Sequence, residues 1–278
     1  MRLTTILFLL GLSPLFSCTS SGGDTSTNTT DVDTLQSTGA KSVHRSPSAV
    51  HRDTLTVPLS YLMGQFDPGQ HPDFSPIATE HADRGGLYLR TDAYEAFKKM
   101  YNAAKADGIN LVIRSATRNF ASQKGIWEAK WTGARKIEGG QDATVAFPDP
   151  VVRAKMILKF SSMPGSSRHH WGTDIDLNNF TNEWFETGEG KKIYDWLTAH
   201  AAEYGYCQPY TAKGPARPNG YNEERWHWSY MPVSRPLTAQ AERELTNEMI
   251  TGFQGAETAA EIGIVENYVL GINPECRQ

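Results

Sequence analysis

The stretch 166-SSRHHWGTDIDLNN-179 crowds two adjacent histidines, a Trp-Gly pair and two aspartates one residue apart into a single segment. From Gly172 to Phe180 it has the alternation of a strand. Asp174 and Asp176 stand at i and i+2 of that strand and point to one side, so parity does not choose between them as ligands. His169 and His170 should point differently, and only one need face a metal.

Helical and extended patterns surround this stretch. Upstream, 91-TDAYEAFKKMYNAAKADG-108 reads as a helix with Thr91 as N-cap and Gly108 as its stop. The apolar run INLVIRSA follows as a β-segment. A second helix is expected over about 122–134, with Trp127 and Trp131 four apart on a core-facing side. A third begins at the prolines of PDPVVRAKMILKFSS. Downstream come a helix ended by Gly205, the aromatic strand RWHWSYM, and helices from about Leu237 to Leu270. This pattern predicts one α+β domain with helical elaborations.

With 278 residues, 39% hydrophobic and 10% aromatic, the chain can build a sizeable core. A formal net charge of −4 gives no electrostatic reason to expect nucleic acid as a partner. The N-terminus, MRLTTILFLLGLSPLFSC, has one early positive charge and an apolar run too short to span a membrane, which reads as a signal peptide over 1–17. The residues ending at Cys18 resemble a bacterial lipobox, which implies lipid on Cys18 and a membrane anchor without a spanning helix. Residues 18–54 are rich in Ser, Thr, Gly and Asp and are expected to be a disordered tether. The expected location is therefore that of an exported lipoprotein facing the periplasm or cell envelope. Cys207 and Cys276 are the other cysteines; in an exported protein they form either a disulfide or two separate buried thiols.

Of eight histidines, His169, His170 and His227 are the candidates for chemistry. His169 and Asp176 flank a glycine on a loop-to-strand transition, and His227 lies close to Glu224. Two imidazoles and one carboxylate leave a fourth zinc position open for water, as catalytic sites require, and Glu224 could take that water's proton. Neither H-E-x-x-H nor C-x-x-C is present.

Three motifs, in order, carry a resemblance. SRHHWGTDID fits S-x-H-x-x-G-x-x-x-D, ERWHW fits E-x-W-H, and SATRNFASQ fits S-x-x-R-x-x-x-x-Q. Together they resemble the zinc D-alanyl-D-alanine carboxypeptidases of the VanY type, in the LAS metallopeptidase superfamily, over roughly 61–232. The resemblance implies that His169, Asp176 and His227 bind Zn2+ and that Glu224 is the catalytic base. It implies that Arg118 holds a substrate carboxylate or developing oxyanion, with Gln123 as its polar partner. Ser167 and Gly172 match fixed small residues, and Ser167 is carried over as a substrate contact. Asp174 departs from the Ala common in the family and stands as a neighbour of the zinc or an alternative ligand.

The expected fold is thus α+β: a small antiparallel sheet carrying the zinc site, flanked by helices, as a peptidase domain over 55–236. A C-terminal helical extension over 237–278 packs on it. The implied activity is removal of the terminal D-Ala from peptidoglycan stem peptides. The alternatives are an L,D-carboxypeptidase or cross-link endopeptidase of the same fold, and a non-catalytic wall-binding lipoprotein. A serine-type enzyme is excluded, because the chain contains neither S-x-x-K nor K-T-G. One geometric condition follows: in a flat strand Glu224 and His227 would face opposite sides, so the chain must bend near Glu224 or Arg225.

Overall fold

The computed structural model describes residues 55–277. The expected signal peptide, the lipidation site Cys18 and the tether over 18–54 lie outside the described residues. No helix among the described residues is long and apolar enough to cross a membrane.

The helices are α1 (Leu59–Leu62), α2 (Thr91–Ala106), α3 (Phe120–Trp131), α4 (Ala143–Ala146), α5 (Pro150–Ile157), α6 (Gly188–His200), α7 (Met231–Glu244) and α8 (Ala259–Ile262). The strands are β1 (Phe74–Pro76), β2 (Tyr88–Arg90), β3 (Ile113–Ser115), β4 (Asp174–Leu177), β5 (Tyr206–Cys207) and β6 (His227–Tyr230). β1 and β2 pair by themselves, while the other four form an antiparallel sheet in the order β3-β4-β6-β5. The fold is α+β, as expected: short antiparallel sheets among many helices.

Local chemistry explains where the elements start. Asn119 caps α3 by accepting a hydrogen bond from the Ser122 amide at 2.9 Å, and Asp149 caps α5 through the Val152 amide at 2.9 Å with Pro150 in the first turn. The helix expected from Thr91 does begin there, but Thr91 is its first residue rather than its cap; its hydroxyl pairs with Ser75 instead. The last long helix starts at Met231, earlier than about Leu237, so the expected 236/237 boundary falls inside α7. Pro236 within that helix removes one backbone donor. A buried face of Met231, Val233, Leu237 and Ala241 holds the helix together regardless.

Two apolar clusters sandwich the sheet's neighbourhood. One joins Phe97, Met100, Ile175, Leu177, Ile193 and Leu197, so the outward-alternating apolar residues of β4 pack toward α2 and α6. The other joins Trp127, Trp131, Ile157 and Leu237 with the C-terminal residues Ile262 and Val265. Trp127 and Trp131 lie stacked at 6.0 Å in this core, as their spacing predicted. The C-terminal segment is tied down further: Trp127 Nε1 donates to the Gln254 carbonyl at 2.8 Å. Cys207 and Cys276 form a disulfide with their Cα atoms 5.8 Å apart. At the other end, the buried amide of Gln240 clasps both backbone groups of Val57, at 3.0 and 2.7 Å.

Candidate active site

Register does the first part of the assembly. Asp176 lies opposite His227 across the β4–β6 pair and opposite Ser115 across β3–β4. The alternation of side chains then puts Asp174, Asp176, His227 and Ser229 on one face, because Asp174 also faces Ser229. His169 arrives from the short helical turn Arg168–Trp171 that precedes β4. Gly172 ends this turn at φ +72°, where a Cβ would meet Phe74 Cε1 at 2.3 Å, so the motif needs glycine here.

His169, Asp176 and His227 each offer a ligand atom, all within 4.8 Å of one another, and all three residues are buried. The ring nitrogens are sorted by their other partners. His169 Nδ1 donates to the Ala116 carbonyl at 2.8 Å, which leaves Nε2 facing Asp176 Oδ2 at 3.3 Å. His227 Nε2 donates to Asp174 Oδ2 at 2.8 Å, which leaves Nδ1 facing Asp176 Oδ1 at 3.0 Å. Asp176 Oδ1 is buried and makes no well-formed hydrogen bond among the described residues; it faces the His227 ring, another candidate ligand, as suits an oxygen that would turn to a cation. This donor set of two imidazoles and one carboxylate suits zinc with an open position.

Asp174 is not an alternative ligand, since both its oxygens are taken. Oδ1 accepts from Thr173 Oγ1 at 2.7 Å and Ser229 Oγ at 2.6 Å. Oδ2 accepts from Arg168 Nε at 3.2 Å and from His227. Arg168 is buried too; it stacks on Trp171 and donates onward to Thr238 of α7 at 2.8 Å. The sequence reading missed Arg168. Its position between two serines and the histidine pair carried no periodic signal of burial.

His170 is likewise settled as a neighbour. Its Nδ1 donates to the Arg118 carbonyl at 2.6 Å and its Nε2 accepts from the Gly165 amide at 3.0 Å. Burial holds this ring well below the usual histidine range, at about 3, so it stays neutral and fixes the backbone under Arg118.

Glu224 precedes β6 and is separated from it by a turn, closed by the His227 amide bonding to the Glu224 carbonyl at 3.2 Å. The bend required by the sequence is therefore present, and it brings Glu224 Oε2 to 3.4 Å from His227 Nδ1. Burial pushes the Glu224 carboxyl up to about 8, with nearby Asp176 adding to the effect and Arg118 and Lys130 opposing it.

The third motif forms a bracket around Arg118. Its Nε donates to Gln123 Oε1 at 2.9 Å, its Nη1 to Ser115 Oγ at 2.5 Å, and Nη1 stands 3.4 Å from Asp176 Oδ2. Gln123 is fixed in turn by donating to the Ser162 carbonyl at 2.8 Å. The Ser, Arg and Gln of SATRNFASQ are thus one hydrogen-bonded unit.

A cavity of about 1130 Å³ opens beside this group, with Arg118, Gln123, His169, Asp176, Glu224 and His227 all in its wall. Ser167, expected as a substrate contact, is 1% exposed, does not line the cavity, and has no hydrogen-bond partner for its hydroxyl among the described residues. No residue after His227 lines the cavity either, so the C-terminal helices support the site from behind.

Residues 86–233 match the VanY family, described as D-alanyl-D-alanine carboxypeptidase. The chain belongs to this VanY family. Two curated relatives match over stretches of similar length. "Putative carboxypeptidase YodJ" of Bacillus subtilis is 30% identical over 153 residues, covering 52% of this chain and 46% of the relative. A D-alanyl-D-alanine carboxypeptidase of Enterococcus faecalis is 25% identical over 135 residues, covering 48% and 45%. The chain thus spans about half the length of the curated relatives it matches. Among solved structures, VanYB in complex with D-alanine-D-alanine aligns at 20% identity and a TM-score of 0.44, covering 64% of this chain and 93% of that one. The LdcB LD-carboxypeptidase aligns at 20% and 0.44, covering 72% and 81%.

Proposed function

We propose that the protein is a zinc-dependent peptidase that removes the terminal D-Ala from peptidoglycan stem peptides. In this reading it is exported and held at a membrane by lipid on Cys18, facing the periplasm or cell envelope. The observation that carries the catalytic part is the convergence of the buried His169, Asp176 and His227 next to Glu224 in the wall of one cavity. Membership of the VanY family supports the substrate class.

His169 Nε2, His227 Nδ1 and a carboxylate oxygen of Asp176 would hold the zinc. Zinc bound there supplies Lewis acidity, polarising the scissile carbonyl and lowering the pKa of water toward neutrality. Glu224 takes the proton from the water that attacks the carbonyl and gives it to the departing amine. Its carboxyl suits both halves, because burial lets it hold a proton near neutral pH. Arg118 orients the substrate through its C-terminal carboxylate; Gln123 and Ser115 fix the guanidinium, and Nη2 has no partner among the described residues.

Digestion of defined muropeptides, with and without a chelator and read by mass spectrometry, tests the reaction. Loss of one terminal D-Ala from a pentapeptide, abolished by chelation and restored by zinc, is the expected result. Cleavage only of tetrapeptides or of cross-linked dimers would move the reaction to an L,D-carboxypeptidase or an endopeptidase. Metabolic labelling with a fatty acid tests the anchor, with label expected on the native chain and lost in Cys18→Ser.

A further inference from the structure

Lys130 is a cation of the cavity wall that contacts no substrate group in the reaction described above. Lys130 lies on α3 one face-repeat beyond Gln123, and the i, i+3, i+7 spacing of Gln123, Ile126 and Lys130 turns all three toward the cavity. Its ammonium donates to Ser161 Oγ at 2.5 Å, and no carboxylate stands within ion-pair distance of it among the described residues. An ammonium carries three donors, so at least one remains to be used.

Arg135 shares the wall, exposed and without an ion pair among the described residues, while the remaining cations are committed. Arg84 and Arg114 are both engaged by Asp83, at 3.0 and 2.6 Å. Arg118 is bracketed by Ser115, Gln123 and Asp176. Lys130 is half-buried, and the neighbouring charges of Arg135 and Arg118 act on it unfavourably. Burial first, then Arg135 and Arg118, lower the ammonium to about 8, against the opposing charge of Glu224. A half-buried cation without an ion-pair partner gains from an incoming anion.

We propose that Lys130, with the Ser161 hydroxyl, is a second anion-recognising point of the cleft, which selects stem peptides carrying a free carboxylate in addition to their C-terminal one. Arg118 takes the terminal carboxylate and Lys130 takes the other. Lys130 is thus a specificity-determining residue, and its assignment rests on the peptidase reading given above.

The test compares two peptides with the same D-Ala terminus, one bearing the second carboxylate and one with that group converted to an amide. Their kcat/KM ratio is measured for the native protein, Lys130→Met and Lys130→Arg. The native ratio is expected to favour the carboxylate peptide by about tenfold or more, mostly through KM, as a charge-assisted contact predicts. Lys130→Met should bring the ratio close to one, and Lys130→Arg, which keeps the charge, should retain most of it. An unchanged ratio in Lys130→Met overturns the proposal. So does an equal loss on both peptides with a shifted pH profile, which would assign Lys130 to the electrostatics of Glu224. If neither peptide is cut, the peptidase reading falls separately. Calorimetric binding of the same two peptides to native and Lys130→Met protein then decides the carboxylate preference on its own, and equal affinities for the native protein would overturn it.

Discussion

His227 Nε2 donates a 2.8 Å hydrogen bond to Asp174 Oδ2, and this bond decides which ring nitrogen faces Asp176. The carboxylate is itself held by Arg168, Thr173 and Ser229, so the imidazole is oriented by a fixed network rather than by one flexible side chain. Asp174 couples a proposed ligand to Arg168, and through it to Thr238 of α7.

Removing Asp174 should therefore loosen the metal site without removing a ligand. Asp174→Ala is expected to weaken zinc binding about 10- to 100-fold, measured by competition with a chromophoric chelator. It also strands the buried Arg168 charge, so thermal stability should fall, on the order of 3–5 kcal/mol. A double variant, Arg168→Met with Asp174→Ala, should recover part of that stability but not the affinity. Unchanged affinity in Asp174→Ala would show that the carboxylate does not orient His227.

Zinc uptake should release a proton. Burial disfavours a charged His227, but its hydrogen bonds to Asp174 and Asp176 outweigh this and raise it to about 9 in the metal-free protein. The ring is then protonated at neutral pH, and ligation must displace the proton at Nδ1. Affinity is expected to rise with pH until about 9 and to level off beyond it. Titration calorimetry in buffers of different ionisation enthalpy measures the released proton directly; zero release at pH 7 would refute the raised value.

Glu224→Gln should lower kcat by about 10²- to 10⁴-fold while leaving zinc bound, since the carboxylate moves protons and is no ligand. The base must be ionised to act, so kcat/KM falls as the pH drops through the Glu224 pKa. Burial raises that pKa to about 8 without a cation, and a divalent charge in the adjacent triad draws it back down. The acidic limb of the profile is thus expected between the ordinary carboxylate value of 4.5 and about 8. A limb that persists unchanged in Glu224→Gln would belong to another group.

The Cys207–Cys276 bridge closes a loop with a sequence separation of 69. Replacing both cysteines with serine should cost roughly 4 kcal/mol on the chain-entropy account. Because no residue after His227 lines the cavity, turnover at 25 °C should change far less than the melting temperature. A matching collapse in kcat well below the melting transition would mean that the C-terminal segment shapes the cleft after all.

Much of the site was legible because ligands and base are spelled in short local motifs. The i, i+2 pair of aspartates, the turn glycine and the three-residue step from Glu224 to His227 each imposed a geometric requirement, and each was met by the backbone. Less legible were groups whose role depends on what they meet across the fold. Arg168 and Lys130 look like ordinary surface cations in one dimension, yet one is fully buried beneath the triad and the other faces the cavity. Ser167 illustrates the opposite case: its place in a motif suggested a substrate contact, but the turn buries it.

The sequence by itself determined the α+β pattern, the family and the residues capable of holding a metal, because periodicity and short motifs are local properties of the chain. The motif resemblance named Asp176 over Asp174 and His169 over His170, but only the tertiary structure supplies the physical reason. Each of those pairs is chemically equivalent along the chain, and they differ only in which hydrogen-bond partners reach them. Asp174 and His170 are saturated by Arg168, Ser229, Arg118 and Gly165, whereas Asp176 Oδ1 faces the ring of another candidate ligand, His227, without a well-formed hydrogen bond. A buried oxygen that lacks a well-formed hydrogen bond is costly unless something else completes it, and this incomplete pairing inside the triad distinguishes a ligand from its saturated neighbour.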